Sequence, residues 1–335
     1  MAEYKGIKGF KVQSLASDPT LVEGQVWYNT TGNALKYQAT ATAWASGTVL
    51  GTAIYQSGGG GGTLTAGITM SGSTAAPATP NVTLKSQLYD GTSWSDANNV
   101  NTARYLSIGM GSQTAAVFAG GTGTPAETAA SEDYDGTSWT TGNSLSRGVC
   151  RGMGSGGTQT AGFVVGGNSA IPTVGETEEY DGSCWTETAD LNTVRGWPGA
   201  TGTTTAGLCY GGLGPGPSLG GTAVTEEWNG SSWANSNNMN NNRREMGCCG
   251  TQTAAFGFGG IGPPSNQKKG VSETYDGTSW TEGDAMATAR PSTTPSHSGS
   301  TTSAYAAGGD TGSSPTYNIV EEFSPGTVVK TVTVS

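Results

Sequence analysis

Histidine is almost missing from the 335-residue chain, where His297 is the single one. Its scarcity excludes a multi-histidine zinc or copper centre and a Ser-His-Asp relay, and leaves carboxylate catalysis open. Its setting among Ser and Thr reads as incidental. Positive charge is scarce too: 15 Lys and Arg stand against 25 Asp and Glu, a net charge of −10. A nucleic-acid partner would need a cationic stripe, so none is expected. Only the first eleven residues lean the other way, with Lys5, Lys8 and Lys11 against Glu3. No apolar run approaches the ~18 residues of a membrane-spanning helix, and the opening MAEYKGIKGFKVQSL lacks the apolar centre of a signal peptide. Neither membrane insertion nor export is expected.

Cys150, Cys184, Cys209, Cys248 and Cys249 fall at unmatched places, which argues against a disulfide framework and for reduced thiols in a protein made in a cytoplasm. Cys248 and Cys249 are adjacent, so in a strand they point to opposite faces and cannot share a site. The 14 prolines and 56 glycines follow no three-residue period, which excludes a collagen helix. Apolar residues make up 34% and charged residues 12%. Nine Trp and twelve Tyr at regular intervals still imply many small packed layers in place of one wide core.

What the chain has in abundance is one phrase. Tyr-Asp-Gly-Thr-Ser-Trp stands at 89–94, 134–139 and 275–280, with YDGSCW at 180–185 and WNGSSW at 228–233. Its tryptophans, Trp94, Trp139, Trp185, Trp233 and Trp280, are 45, 46, 48 and 47 residues apart, a period that suits one propeller blade. A degenerate copy, Leu35-Lys36-Tyr37-Gln38 with Trp44, opens the series. A half copy, Glu321-Glu322-Phe323 without a Trp, closes it. Counted from Tyr37 to Phe323, the chain holds six periods.

Each period predicts four strands. An Arg (Arg104, Arg147, Arg195, Arg243, Arg290) precedes a glycine-rich strand, as in YLSIGMG at 105–111. Ser/Thr-Gln-Thr-Ala then turns the chain into a small apolar strand ending in Gly-Gly, such as AAVFAGG at 115–121. A variable loop leads to a Glu-rich strand ending in Tyr-Asp-Gly, and the last strand carries the Trp. Asp-Gly between two strands is the strongest short-range hairpin signal. Small residues beside the Gly-Gly doublets are expected to let sheets converge near the axis, with Tyr and Trp filling the wider gaps outside. Neighbouring blades would bury the faces of each sheet, and closure of the ring would remove its free ends. Val26-Trp27-Tyr28 and Leu35-Lys36-Tyr37 read as an N-terminal hairpin, and Val328 to Val334 as an alternating strand. The N-terminal strands are expected to complete the sheet that the last repeat begins.

Gly-Gly, a Tyr downstream and then a Trp, as in Gly120-Gly121, Tyr134 and Trp139, resemble kelch-type repeats over roughly residues 35 to 324. The fold expected is all-β: a six-bladed kelch-like β-propeller with four short antiparallel strands per blade. The first blade departs from the pattern, with Ser71-Gly72 in place of Gly-Gly and no Arg. GQVWYNTTGNALKY at 24–37 is similar to the Gly-x-x-Trp-Tyr-Asn…Leu-Lys phrase of bacteriophage tail-fibre and other virion structural proteins, including those of marine and cyanobacterial phages. That resemblance implies a protein made in a bacterial host cytoplasm and carried on a virion. The organisation expected is an attachment arm at 1–24, the propeller at 25–325 and a C-terminal strand at 326–335.

Arg104, Arg147, Arg195, Arg243 and Arg290 recur together with Glu132, Glu178, Glu226, Glu273 and Glu321. A group repeated in nearly every blade serves architecture, so one Arg–Glu pair per blade or junction is expected in preference to a ligand-binding ring of arginines. The same holds for the five repeated tryptophans. Asp90, Asp135, Asp181 and Asp276, with Asn229 in their place once, read as hairpin turn residues; the calcium-loop pattern is absent. The phrase also resembles the Asp-box of sialidases, which is itself a structural turn. Gly58 to Gly62 is no phosphate loop, because no Lys-Ser or Lys-Thr follows. No catalytic, cofactor-binding or metal residue stands out.

Function is expected in the loops that differ between blades: 122–131, 168–175, 213–223, 261–271 and 310–318. The reading is a non-enzymatic virion protein, a tail fibre, spike or decoration unit. It would contact other virion proteins through its arm and present the loops to a host surface, with a glycan as candidate ligand. The alternative is a polysaccharide-degrading or sialidase-like enzyme of a phage tail.

Overall fold

The computed structural model describes residues 12–20, 25–75, 81–123, 126–147, 152–168, 173–215, 221–312 and 318–331. They form two units, residues 1–43 with 324–335, and residues 44–323. No helix among the described residues is long and apolar enough to cross a membrane.

The larger unit is a six-bladed β-propeller. Blade 1 is Gln56–Thr63, Ala66–Ser73, Ser86–Tyr89 and Trp94–Asp96; blade 2 is Ile108–Ser112, Ala115–Ala119, Ser131–Tyr134 and Trp139–Thr141. Blade 3 is Gly154–Thr158, Ala161–Asn168, Thr173–Tyr180 and Trp185–Glu187; blade 4 is Gly199–Thr203, Ala206–Tyr210, Thr225–Trp228 and Trp233–Ser236. Blade 5 is Gly247–Thr251, Ala254–Phe258, Ser272–Tyr275 and Trp280–Gly283. Every blade is antiparallel, and its first strand touches the first strands of its two neighbours, so that Thr294–Pro295 of blade 6 returns to Gln56–Thr63 of blade 1.

Glycine of the first strands permits the crowding at the axis. A Cβ on Gly109, in the first strand of blade 2, would stand 2.5 Å from the Gly60 nitrogen of blade 1. The Gly-Gly doublets instead end the second strands, where Gly120 and Gly121 have φ of 64° and 96°. They are conserved in type along the repeat because the chain turns there through a conformation that a Cβ disfavours. In blade 1 the first place is taken by Ser71 at φ 56°, whose Oγ donates to the Thr83 and Arg104 carbonyls.

Blade 6 closes the ring. Its sheet runs Thr294–Pro295, Ala304–Ala307, then the strand beginning at Val320, then the strand Ala34–Ser46 from the other end of the sequence. Gly47 N donates to Val320 O at 2.9 Å and Leu50 N to Asn318 O at 2.9 Å. These reproduce Ala97 to Ser86 and Val100 to Leu84 of blade 1. Trp44 packs on Phe323, ring centroids 5.3 Å apart, and so supplies the tryptophan that the last copy lacks. The count of six stands, but Tyr37 is not its first aromatic: it pairs with Val26 in the smaller unit.

Six apolar clusters fill the six junctions. Each includes one of six residues of the crossings between blades: Leu50, Val100, Leu145, Leu191, Met239 or Met286. Burial of such a side chain contributes about 1.5–3 kcal/mol.

In the smaller unit Gln13–Leu15 runs parallel to Val26–Asn29, which pairs antiparallel with Ala34–Tyr37. Asp18 gathers three residues of the Trp-Tyr-Asn…Leu-Lys phrase: its Oδ1 accepts from Trp27 Nε1 (3.2 Å), Asn29 Nδ2 (2.9 Å) and Lys36 Nζ (3.0 Å). The Lys36 contact is first among the causes that hold its carboxyl below the usual range.

Candidate functional site

The recurring charges meet at the junctions. Arg104 Nη2 lies 2.9 Å from Glu132, Arg147 Nε 3.1 Å from Glu178 and Arg243 Nη2 2.9 Å from Glu273. Arg195 pairs with Glu226 and Arg290 with Glu321 in the same way. All ten are buried. Each arginine also donates to the carbonyl of the first doublet glycine, as Arg104 does to Gly120 at 3.1 Å and Arg243 to Gly259 at 3.0 Å. Burial pulls Arg104, Arg243 and Arg290 below their ordinary value, and the paired carboxylate opposes it. With hydrogen bonds on both partners, these are fixed struts between crossing, second strand and third strand.

Blade 1 changes both partners together. Ile54 occupies the arginine's place, its carbonyl accepting from Gly309 N as that of Arg104 accepts from Gly72 N. Gln87 occupies the glutamate's place and accepts from Thr52 N at 3.0 Å, as Glu132 accepts from Thr102 N at 3.1 Å. No buried charge is stranded by the change.

A second set ties four of the blades to their predecessors. The hydroxyl of Tyr180 donates to Asp133, that of Tyr275 to Glu227 at 2.5 Å, and Trp228 Nε1 to Glu179 at 3.1 Å; Tyr89 reaches Glu322. Burial, ahead of its carboxylate neighbour, raises Tyr275 to about 12. Glutamines of the Ser/Thr-Gln-Thr-Ala turns form a third set. Gln113, Gln159 and Gln252 donate to the carbonyls of Tyr89, Tyr134 and Trp228.

The remaining repeated residues are likewise engaged within the scaffold. Trp139, Trp185, Trp233 and Trp280 are buried in the junction clusters, and Trp94 packs edge-on to Tyr305 at 5.6 Å. Asp90, Asp135, Asp181 and Asp276 each cap their own turn, Asp90 Oδ1 accepting from Thr92 N and Ser93 N at 2.8 Å. Those hydrogen bonds lower Asp90 to about 2. Cys248 Sγ donates to Ala200 O and Cys249 Sγ to Ser300 O, on blades to either side. Burial raises Cys209 to about 12 and Cys248 to about 11. Cys150 lies outside the described residues. Among the described residues no three His, Cys, Asp or Glu side chains gather as metal ligands.

The variable loops all join second to third strands and therefore leave one end of the ring. Residues 124–125, 169–172, 216–220 and 313–317 of them lie outside the described residues. The loop at 261–271 folds back as a short ladder pairing Ile261–Gly262 with Gln267–Lys268, and Lys268 Nζ reaches Asp310 of the next loop at 2.6 Å.

At this end the central channel opens. Five residues rim it, all at positive φ: Leu106 (55°), Gly152 (59°), Trp197 (50°), Glu245 (56°) and Ser292 (56°). They form a chain of backbone hydrogen bonds from blade to blade, Gly152 to Leu106, Trp197 to Gly152, Glu245 to Trp197 and Ser292 to Glu245, at 2.6–3.1 Å. Three adjacent members carry chemistry that no other blade repeats: Trp197, Glu245 and Ser292. Ser292 Oγ donates to Glu245 at 2.7 Å, and Arg244 Nε lies 3.3 Å from the other carboxylate oxygen.

The far end of the channel is crossed by an insertion. Blade 6 has two more residues between Pro295 and its turn than blade 2 has after Gly109. The extra length carries Ser298 across, its N donating to Gly62 O and its Oγ to Gly111 O, both at 3.0 Å. His297 beside it lines the channel, where burial lowers the imidazole to about 4.

Sequence reasoning missed the rim. Its signal was present: the second residue after the recurring arginine reads Leu106, Trp197, Glu245 and Ser292, a varying place at a fixed distance from a constant one. Comparison with protein-family models and with curated proteins gives no match to this chain.

Proposed function

We propose that the protein is a non-enzymatic bacteriophage virion component, attached to the particle through the arm at 1–24 and presenting its loop face to a host-surface glycan. One observation carries the reading: the two ends of the ring are unlike. The chain enters the ring at Trp44 and leaves it at Phe323, both beside the end that holds the uniform Asp-Gly turns. Loops of differing sequence and the channel rim occupy the other end. A scaffold so divided can be held at one end and vary at the other without disturbing its core. The repeated Arg, Glu, Asp and Trp residues are engaged by the scaffold itself, which leaves recognition to the rim and loops. The Trp-Tyr-Asn…Leu-Lys phrase supports the virion assignment through its resemblance to phage structural proteins.

A host-glycan array and a polysaccharide depolymerisation assay, run on the same preparation, test the proposal. Array binding without product release is the expected result. Release of oligosaccharide would overturn the non-enzymatic reading, and absence of the chain from purified particles would overturn the virion assignment.

A further inference from the structure

We propose that the channel mouth rimmed by Trp197, Glu245 and Ser292 is an end-on subsite for one neutral sugar residue. The inference deepens the glycan-binding reading and rests on it for the source of the sugar. Four observations lead to it.

The cavity opens among the loops, and toward the far end Ser298 reaches from blade 6 past blade 1 to blade 2. The rim encloses about 100 Å³, the space of about three waters. That volume admits a projecting group such as a hydroxymethyl or an acetamido methyl, with the rest of a pyranose resting at the mouth.

Polar groups inside lack partners. Thr293 is 5% exposed and its Oγ1 is buried with no hydrogen bond among the described residues; the same holds for Ser107 Oγ, Trp197 Nε1 and His297 Nδ1. All four residues line the mouth or the channel below it. An unmet buried donor costs about 1–3 kcal/mol, and a ligand rich in hydroxyl and ether oxygens would satisfy several at once.

Apolar side chains share the walls. Leu106, Met153 and Met246 stand with the Trp197 indole around the mouth. Flat apolar area beside hydrogen-bonding groups matches a pyranose, which has a C–H face and a hydroxyl edge.

Charge selects a neutral ligand. Glu245 is the acidic group of the rim and would repel an anionic sugar, while its ion pair with Arg244 leaves little unpaired charge to attract a cation. The bulky residues Trp197 and Glu245 also hold left-handed backbone that glycine adopts more readily, as Gly152 does in the same ring.

The test titrates the full chain with methyl glycosides of glucose, galactose, mannose, fucose, N-acetylglucosamine and N-acetylgalactosamine, read by saturation-transfer NMR and calorimetry. At least one is expected to bind with Kd on the order of millimolar, the range of a single small contact. Trp197→Gly, which suits the backbone at φ 50°, should weaken it tenfold or more, and Glu245→Gln several-fold, with melting temperatures within a few degrees of the parent. Should Trp197→Gly fail to fold, Glu245→Gln decides alone. Binding of no glycoside, or binding unchanged in the folded variants, overturns the subsite. Array binding retained in Trp197→Gly overturns the subsite and leaves the glycan-receptor reading intact. Glycoside binding at the rim with a blank host-glycan array does the reverse.

Discussion

Phe323 and Trp44 come from opposite ends of the chain and pack as a tilted pair with ring centroids 5.3 Å apart, where every other blade places two aromatics of one hairpin. In the other blades a short Asp-Gly turn holds the pair together. Here only the sheet does so, through the Gly47 and Leu50 hydrogen bonds. Trp44 also packs on Phe256 and Phe258 of blade 5 at 5.9 and 5.0 Å. Trp44→Ala should therefore destabilise the ring by about 3 kcal/mol. Urea unfolding followed by fluorescence should show the midpoint fall, and an unchanged midpoint would mean the closure does not hold the ring.

The struts yield a sharper prediction because blade 1 supplies its control. Arg195→Ala leaves the Glu226 carboxylate buried without its cation and should cost about 3–5 kcal/mol. Arg195→Ile with Glu226→Gln copies the Ile54 and Gln87 arrangement and should recover most of that loss. The melting temperatures of the two single variants and the double variant close the cycle. A double variant no more stable than Arg195→Ala would show that the Ile–Gln arrangement works only in blade 1.

These two cases also show what the sequence made legible. Arg195, Glu226 and Trp233 recur at constant spacing, so their shared architectural place could be read from repetition. The ring closure was legible in outline, since Phe323 lacks a following Trp, but Tyr37 offered a false aromatic, seven residues before Trp44 where Tyr89 stands five before Trp94. The Ile54 and Gln87 exchange could have been found by laying Leu50-Gly-Thr-Ala-Ile over Val100-Asn-Thr-Ala-Arg. The rim was harder. Leu106, Trp197, Glu245 and Ser292 share a backbone conformation and no side-chain chemistry, and residue type does not announce a left-handed φ outside glycine and asparagine. The second residue of each Glu-Glu pair was hidden as well, because its partner, an aromatic hydroxyl or indole, belongs to the next blade.

That inter-blade bond can be tested by comparing two tyrosines. Tyr275 gives its hydroxyl to Glu227 and lies 2.6 Å from Ser236 Oγ, so Tyr275→Phe should cost about 1–2 kcal/mol. At the equivalent place before Tyr134 the chain has Leu88, which packs in the same apolar cluster as Tyr134. Tyr134→Phe should accordingly change stability by less than about 0.5 kcal/mol. Equal losses in thermal unfolding would show that the hydroxyls act by something other than these pairs.

His297 makes the stability of the ring depend on pH. Burial in the channel holds its imidazole at about 4, against 6.5 when the chain is unfolded. Above pH 6.5 both states are neutral and the residue contributes no pH dependence. Between 6.5 and 4 the unfolded chain takes up a proton that the folded chain does not, so stability falls as the pH drops through that window. Below about 4 both states are protonated and the slope ends, after a total loss of at most about 3 kcal/mol. His297→Gln has no such proton to bind. Its melting temperature, taken relative to the parent, should therefore rise between pH 7 and pH 4.5, whereas a constant difference would place His297 in contact with bulk water.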